Sequence, residues 1–375
     1  MGEEEAPVEE APAEEVPEEA ADGEEGQAEE EEATVLGLSH RGLRDGDAEK
    51  VAAALAEYPA VTSLDLSENE FGDQSMVCLS PAMASHPGLT SIFLVNNLLG
   101  DQGAEHLGVA LEGNNTLTTI DLTGNRIMSR GAESLSKALE KNGTVSTVCL
   151  GYNQIGAQGA EHIASAMEKN TSVTTLDLSS NRICTMGAEG IAKFMQRNTT
   201  LLNLDISHNE LLDRGTEAFA PFLERNSAVS YLNMGGNRIR AAGAERLAVA
   251  LAKNSGVTTL ALSVNELGPV GAEKLAGALE ENRSITVLDF SGNNIKDEGA
   301  EAMAAALAKN TTLVTLALGS NYIGDPGAEK LASAVEGNTI ITELEMRGNK
   351  VAKEVKDRIG AALEKNCAAA DAAAA

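Results

Sequence analysis

Apolar and polar positions recur in a fixed order every 28 residues from Val61 to the end of the chain, with no insertion or deletion. Units begin at Val61, Leu89, Leu117, Val145, Val173, Leu201, Val229, Val257, Ile285, Leu313 and Ile341, and counting back one period adds a degenerate first unit at Ala33. Numbered from Ala33, these are units 1 to 12. Unit positions 4 and 6 are apolar around a polar residue, as Leu176 and Leu178 flank Asp177. That alternation predicts a short strand with one buried face. Positions 16, 19, 20, 22 and 23 are apolar at helical spacing, as in Ala328, Leu331, Ala332, Ala334 and Val335, and predict a helix.

Other positions repeat for reasons of folding. Position 9 is Asn in every unit from Asn69 to Asn349, and the first unit has Arg41 there. A buried Asn must be hydrogen-bonded, and its amide can satisfy backbone groups where each strand ends. Position 13 carries Asp73, Asp101, Asp213, Asp297 and Asp325, each expected to cap its own helix; Pro326 follows Asp325 as a first helical residue. Glu recurs at position 17 from Glu105 to Glu329, near the positive helix end, and reads as a stabilising row rather than a metal ladder. Asn114, Asn142, Asn170, Asn198, Asn282 and Asn310 lie in N-x-[ST] sequons at position 26, where Asn also recurs without a sequon. The expectation is a helix-ending Asn with a left-handed backbone, not a glycan site. Pro81 and Pro221 fall at position 21, where each should kink or shorten its helix. Phe194, Phe219 and Phe222 suggest a widened core near Pro221.

Stacked units place parallel strands on one side and helices on the other. Strands stack at roughly 4.8 Å and helices need about 8–10 Å, so the stack curves with the strands inside. The expected fold is an α/β solenoid, with strands on the concave face and helices on the convex face. Its domain would span 33–366, with capping units at 33–60 and 341–366. An acidic disordered segment at 1–32 would precede it, and a loose Ala-rich end at 367–375 would follow.

The segment L-x-x-L-x-L-x-x-N, followed by G-A-E-x-L-A-x-A-L-x-x-N as in Gly271 to Asn282, resembles the ribonuclease-inhibitor class of leucine-rich repeats. The resemblance covers 33 to about 366. That class includes ribonuclease inhibitors, Ran GTPase-activating proteins, tropomodulins, sensor ends of NACHT receptors and ciliary proteins. It implies the fold and leaves function open. Ribonuclease inhibitor alternates two unit types and is rich in Cys and Trp; this chain has uniform units, 4 Cys and no Trp. No G-x-x-x-x-G-K-[ST] loop is present.

Charge narrows the partners. Residues 1–32 hold fifteen Glu and one Asp without Lys or Arg, which is −16 of the net −29. Such a balance disfavours nucleic acid and anionic membranes. No secretory leader or membrane span is expected. Cys78, Cys149, Cys184 and Cys367 form no C-x-x-C pair and read as reduced cytoplasmic thiols.

No H-E-x-x-H, G-x-S-x-G or Cys–His signature appears, so neither catalysis, a metal nor a cofactor is expected. His106 and His162 are two units apart and read as separate surface residues. The candidate surface is the concave face, onto which positions 3, 5 and 7 should project. Asp65, Asp121, Asp177, Asp205 and Asp289 share position 5; Phe93 and Tyr231, with Tyr152 and Tyr322 near strand ends, are the candidate anchors. The leading expectation is a cytoplasmic, non-catalytic scaffold for a protein with a basic surface, within a cytoskeletal or ciliary assembly by family analogy. The alternative is a small-GTPase regulator resembling Ran GTPase-activating proteins. Lys350, Lys353, Lys356 and Arg358 make the last unit basic, and solvated capping is the expected role.

Overall fold

The computed structural model describes residues 34–374. The acidic segment 1–32 lies outside them. The twelve strands form one parallel sheet in strict sequence order. They are β1 (Val35–Gly37), β2 (Ser63–Asp65), β3 (Ser91–Phe93), β4 (Thr119–Asp121), β5 (Thr147–Cys149), β6 (Thr175–Asp177), β7 (Asn203–Asp205), β8 (Tyr231–Asn233), β9 (Thr259–Ala261), β10 (Val287–Asp289), β11 (Thr315–Ala317) and β12 (Glu343–Glu345). Between them run α1 (Ala48–Glu57), α2 (Met76–Ser85), α3 (Asp101–Gly113), α4 (Ser129–Leu139), α5 (Gly156–Met167), α6 (Cys184–Met195), α7 (Leu212–Glu217), α8 (Ala220–Leu223), α9 (Ala241–Leu251), α10 (Gly268–Glu281), α11 (Lys296–Leu307), α12 (Asp325–Gly337) and α13 (Lys353–Ala374). The sheet is open and each strand pairs with the next unit's equivalent residues, as Leu176 with Leu204. The fold is therefore an α/β solenoid of the expected kind, and the position 4 and 6 residues form a continuous buried stripe with the inner helix faces.

Two asparagine ladders tie unit to unit. Asn181 is fully buried, and its Nδ2 donates to the carbonyls of Leu150, Leu178 and Ser179 while Oδ1 accepts from Ile155 N–H. The position 9 row thus satisfies backbone groups of two units at once. The position 26 row departs from expectation: Asn114, Asn282 and Asn338 have extended rather than left-handed backbone. The side chain explains the preference. Asn170 donates to Leu139 O and Asn142 O, and its Oδ1 accepts from Ser172 and Val173 N–H. Five of the sequon asparagines, Asn114, Asn142, Asn170, Asn282 and Asn310, are buried in this ladder. In unit 2 the same place is taken by buried His86, whose Nδ1 accepts from Gly88 N–H and whose Nε2 reaches Tyr58 O at 3.1 Å.

The position 13 aspartates do cap helices, but those of the following unit. Asp73 Oδ1 accepts from Gly100 N–H at 2.6 Å and Gly103 N–H at 2.8 Å, at the start of α3. Asp101, Asp213 and Asp297 repeat the arrangement on α4, α9 and α12. The carboxylate lies at the positive helix end, as the helix dipole favours, but reaches it across the stack. In the units that follow such an Asp, the carboxylate leaves no room for a side chain at the position 15 Gly. A Cβ on Gly103 would lie 2.8 Å from Asp73 Oδ1, and one on Gly327 would lie 2.7 Å from Asp297 Oδ1. Unit 12 has Val355 there, and Asp325 bonds only Ala352 N–H.

The prolines behave differently from each other. Pro221 divides its helix into α7 and α8, and Phe194, Phe219 and Phe222 are fully buried there, with the last two rings edge-to-face at 6.0 Å. Pro81, expected to kink or shorten its helix, leaves α2 continuous over its 10 residues. The carbonyl it leaves free belongs to exposed Val77, where water can take the bond. The chain end also departs from expectation. Residues 367–374 continue α13, as alanine's high helix propensity favours.

Candidate functional site

The concave face is built from positions 3 and 5, which are half-buried on either side of the buried position 4 residue, as in β6. Position 5 residues stand in register across the sheet: Asp65, Phe93 and Asp121, then Cys149, Asp177, Asp205 and Asn233. Neighbouring side chains in this row are roughly 4.8 Å apart. Asp289 stands two strands beyond Asn233, across Ala261. Tyr231 at position 3 of β8 lies beside Asp205, whose charge helps to raise its phenol's titration after burial itself. Cys149 and Asn233 are members of this row that the search for charges and aromatics passed over. Reading position 5 through every unit finds them.

Each concave aspartate does structural work with Oδ1, and Asp205 with Oδ2 as well. Oδ1 of Asp65, Asp121, Asp177, Asp205 and Asp289 accepts from the N–H two residues on, at 2.8–3.0 Å. This turns the chain at the strand end. Asp205 is further held by Ser207 Oγ at 2.7 Å and Asn233 Nδ2 at 2.7 Å. None of the five enters an ion pair among the described residues. Positions 3 and 5 carry no Lys or Arg in any unit.

Burial and, after it, the neighbouring charges show in the titrations. Burial raises Asp177 above the ordinary carboxylate value, Ser179 partly offsets this, and Asp205 and Asp121 add to the rise. Burial, then Asp121 and Asp177, pushes the Cys149 thiol up to about 12. That thiol is a poor nucleophile, since thiolate is the reactive form.

Tyr152 and Tyr322 belong to the rim and do not join the concave row. Position 8 has positive φ in every unit, from 52° at Asn96 to 72° at Gly124 and Gly348. Tyr152 occupies it with φ 53°, held by its N–H to Ser179 O at 2.8 Å, and its ring is exposed. Tyr322, at position 10 with φ 59°, is exposed six units farther along.

The helical face pairs its charges. Glu112–Lys141, Glu140–Lys169, Glu224–Lys253 and Glu280–Lys309 bridge adjacent units. In the position 17 row, Glu133, Glu189, Glu217, Glu301 and Glu329 each meet a base. Arg358 of the basic end is bonded to Glu329, Ser333 and Glu336. A groove of about 510 Å³ runs between α5 and α6, lined by Glu161, Glu168, Glu189, Lys193 and Met186. His106 is exposed and His162 half-buried, on separate helices. Among the described residues, no cluster of His, Cys, Asp or Glu has the arrangement of a metal site. No helix among them is long and apolar enough to cross a membrane.

The sequence matches the family described as "Leucine Rich repeat" over residues 60–80, 113–136, 169–194, 197–220, 253–276, 281–304 and 309–332. Among solved structures, the chain is similar to that titled "Crystal structure of Rad7 and Elc1 complex in yeast", with 14% identity, a TM-score of 0.55, and coverage of 84% of this chain and 82% of that one. It is also similar to "Leiomodin-1 Actin-Binding Site 2 (ABS2)", with 16% identity, a TM-score of 0.36, and coverage of 50% of this chain and 91% of that one. At 14% identity the likeness to the first of these is one of fold. Comparison with curated proteins gives no match.

Proposed function

This chain belongs to the leucine-rich repeat family, and from that premise we propose a non-catalytic scaffold that holds a basic protein segment on its concave face. The observation that carries this reading is the contrast in pairing. On the helical face many carboxylates pair with bases, most of them from adjacent units, while none of the five concave aspartates enters an ion pair among the described residues. From Asp121 to Asp205 the row spans roughly 14 Å, the length of four or five extended residues. Lysine or arginine side chains entering it would offset the burial, and the smaller mutual repulsion, that raise Asp177. A groove lined by one sign of charge also attracts its partner from a distance. We place the scaffold in the cytoplasm, since its four cysteines are free and most of its sequon asparagines are buried. Recovery of a secreted, glycan-bearing form from cells would contradict that placement.

The test is calorimetric titration of a short lysine-rich peptide at low and high salt. The variant Asp121→Asn/Asp177→Asn/Asp205→Asn keeps each acceptor for the strand-end N–H and removes the charge. The acidic segment 1–32 is present in both chains, so its contribution cancels. The expected result is salt-sensitive binding that weakens at least tenfold in the variant. Equal binding to both chains sinks the reading.

A further inference from the structure

The rim formed by unit positions 8 to 14 has a stretch unlike the rest. In units 4, 5 and 6 these positions contain no Asp or Glu, although the whole chain carries a net charge of −29. They do contain Arg126, Arg130 and Arg182, all exposed. None of the three enters an ion pair among the described residues. Elsewhere on the same rim Arg44 pairs with Glu70, Arg214 with Glu189, Arg238 with Glu210 and Arg240 with Glu266, and Arg41, Lys296, Lys350 and Lys353, which are in no ion pair among the described residues, share positions 8 to 14 of their own units with an Asp or Glu. Glu133, a helix carboxylate within reach of Arg130's charge, is bonded to Lys137.

The same stretch exposes large apolar side chains. Met128 is 50%, Tyr152 63% and Met186 63% accessible. Tyr, Met and Arg are the residues that interface cores favour, and Tyr and Arg are frequent energetic anchors. The backbone beneath is firmly held. Tyr152 N–H is bonded to Ser179 O, and Cys184 N–H to Asn209 O. With strands roughly 4.8 Å apart and helices about 8–10 Å apart, the patch is on the order of 10–20 Å long.

We propose that this rim is a second docking surface, for an acidic protein segment carrying apolar or aromatic side chains. It goes beyond the concave-face reading, since its partner has the opposite charge and its residues lie outside the aspartate row. Charge complementarity selects the acidic segment, because none of the three arginines forms an ion pair with a carboxylate of the described residues. The exposed Met128, Tyr152 and Met186 call for apolar contacts as well as charge. They favour a protein segment over nucleic acid.

The experiment pans a random 12-residue phage-displayed peptide library on the full chain. Recovery is compared with two surface variants: Arg126→Glu/Arg130→Glu/Arg182→Glu, and Met128→Ser/Tyr152→Ser/Met186→Ser. Circular dichroism establishes that both fold, and a fluorescent oligothymidylate is titrated in parallel. The expected result is enrichment of peptides combining Asp or Glu with Leu, Phe, Trp or Met. Their recovery falls at least tenfold on each variant and is undiminished on the Asp121→Asn/Asp177→Asn/Asp205→Asn chain. Peptides recovered equally on the wild type and the rim variants overturn the proposal. So do enrichment of basic peptides only, and oligothymidylate binding that is lost with the arginines.

Discussion

Aspartate recurs at two unit positions along the solenoid, and the same side chain does different work at each. At position 13 one oxygen of Asp73 takes two N–H groups of the next helix. At position 5 one oxygen of Asp177 takes a single N–H of its own strand end, and the side chain stands among like charges on the half-buried face. The first row converts charge into contacts between units. The second leaves charge unspent on an accessible surface. The comparison teaches that a recurring carboxylate is a site only where its partners within the chain do not exhaust it.

The largest effect that could break this comparison is at position 15. Gly→Ala inside a helix normally gains about 1 kcal/mol. Gly103→Ala should instead lose about 1–3 kcal/mol, because the new Cβ meets Asp73 Oδ1, Leu99 and Met76. Urea denaturation measures the sign, and most of the penalty should disappear in an Asp73→Ala background. A stabilised Gly103→Ala would show that the cap does not crowd the helix as described.

Next in size is the cap itself. Asp73→Ala should cost about 1–2 kcal/mol by the same denaturation, with Asp73→Asn losing less, since an amide oxygen can still accept. A variant as stable as the wild type would remove the capping role.

On the concave row the sign is the opposite. A folded-state carboxyl raised above its ordinary value weakens the fold at pH above that raised value. The penalty is relieved as pH falls through the folded and then the unfolded pKa. Asp177→Asn should therefore stabilise by a few tenths to about 1 kcal/mol near neutrality, discounted for its partial exposure. The gain should vanish below the ordinary carboxylate range. Destabilisation near neutrality would mean that the concave row is compensated after all. The smallest effect belongs to the helical face: Glu280→Gln removes the exposed pair with Lys309 and should change stability by less than about 0.5 kcal/mol. A larger loss would give that ladder a structural weight denied to it here.

Much of this molecule was legible in the period alone. Strands, helices, the buried Leu stripe and the position 9 ladder follow from one unit, because each depends on local alternation or helical spacing. The relations between units were not. Capping is read from neighbours in sequence, so an Asp that caps a helix 27 residues on was assigned to its own helix. The position 26 Asn was given a backbone role because its side-chain partners lie 28 and 31 residues away. Of the candidate site, the aspartate row was visible as a residue list. That Tyr152 belongs to a left-handed loop on the rim needed the backbone of the folded chain. The unpaired arginines were invisible too, since pairing depends on which bases face which acids across the stack.

The most direct test of the unspent concave charge is a carbon-detected NMR pH titration of the Asp177 carboxyl, alone and with the lysine-rich peptide. The account predicts a midpoint above the ordinary carboxylate value in the free chain, falling when peptide is bound. An ordinary midpoint, or one that the peptide leaves unmoved, would contradict it.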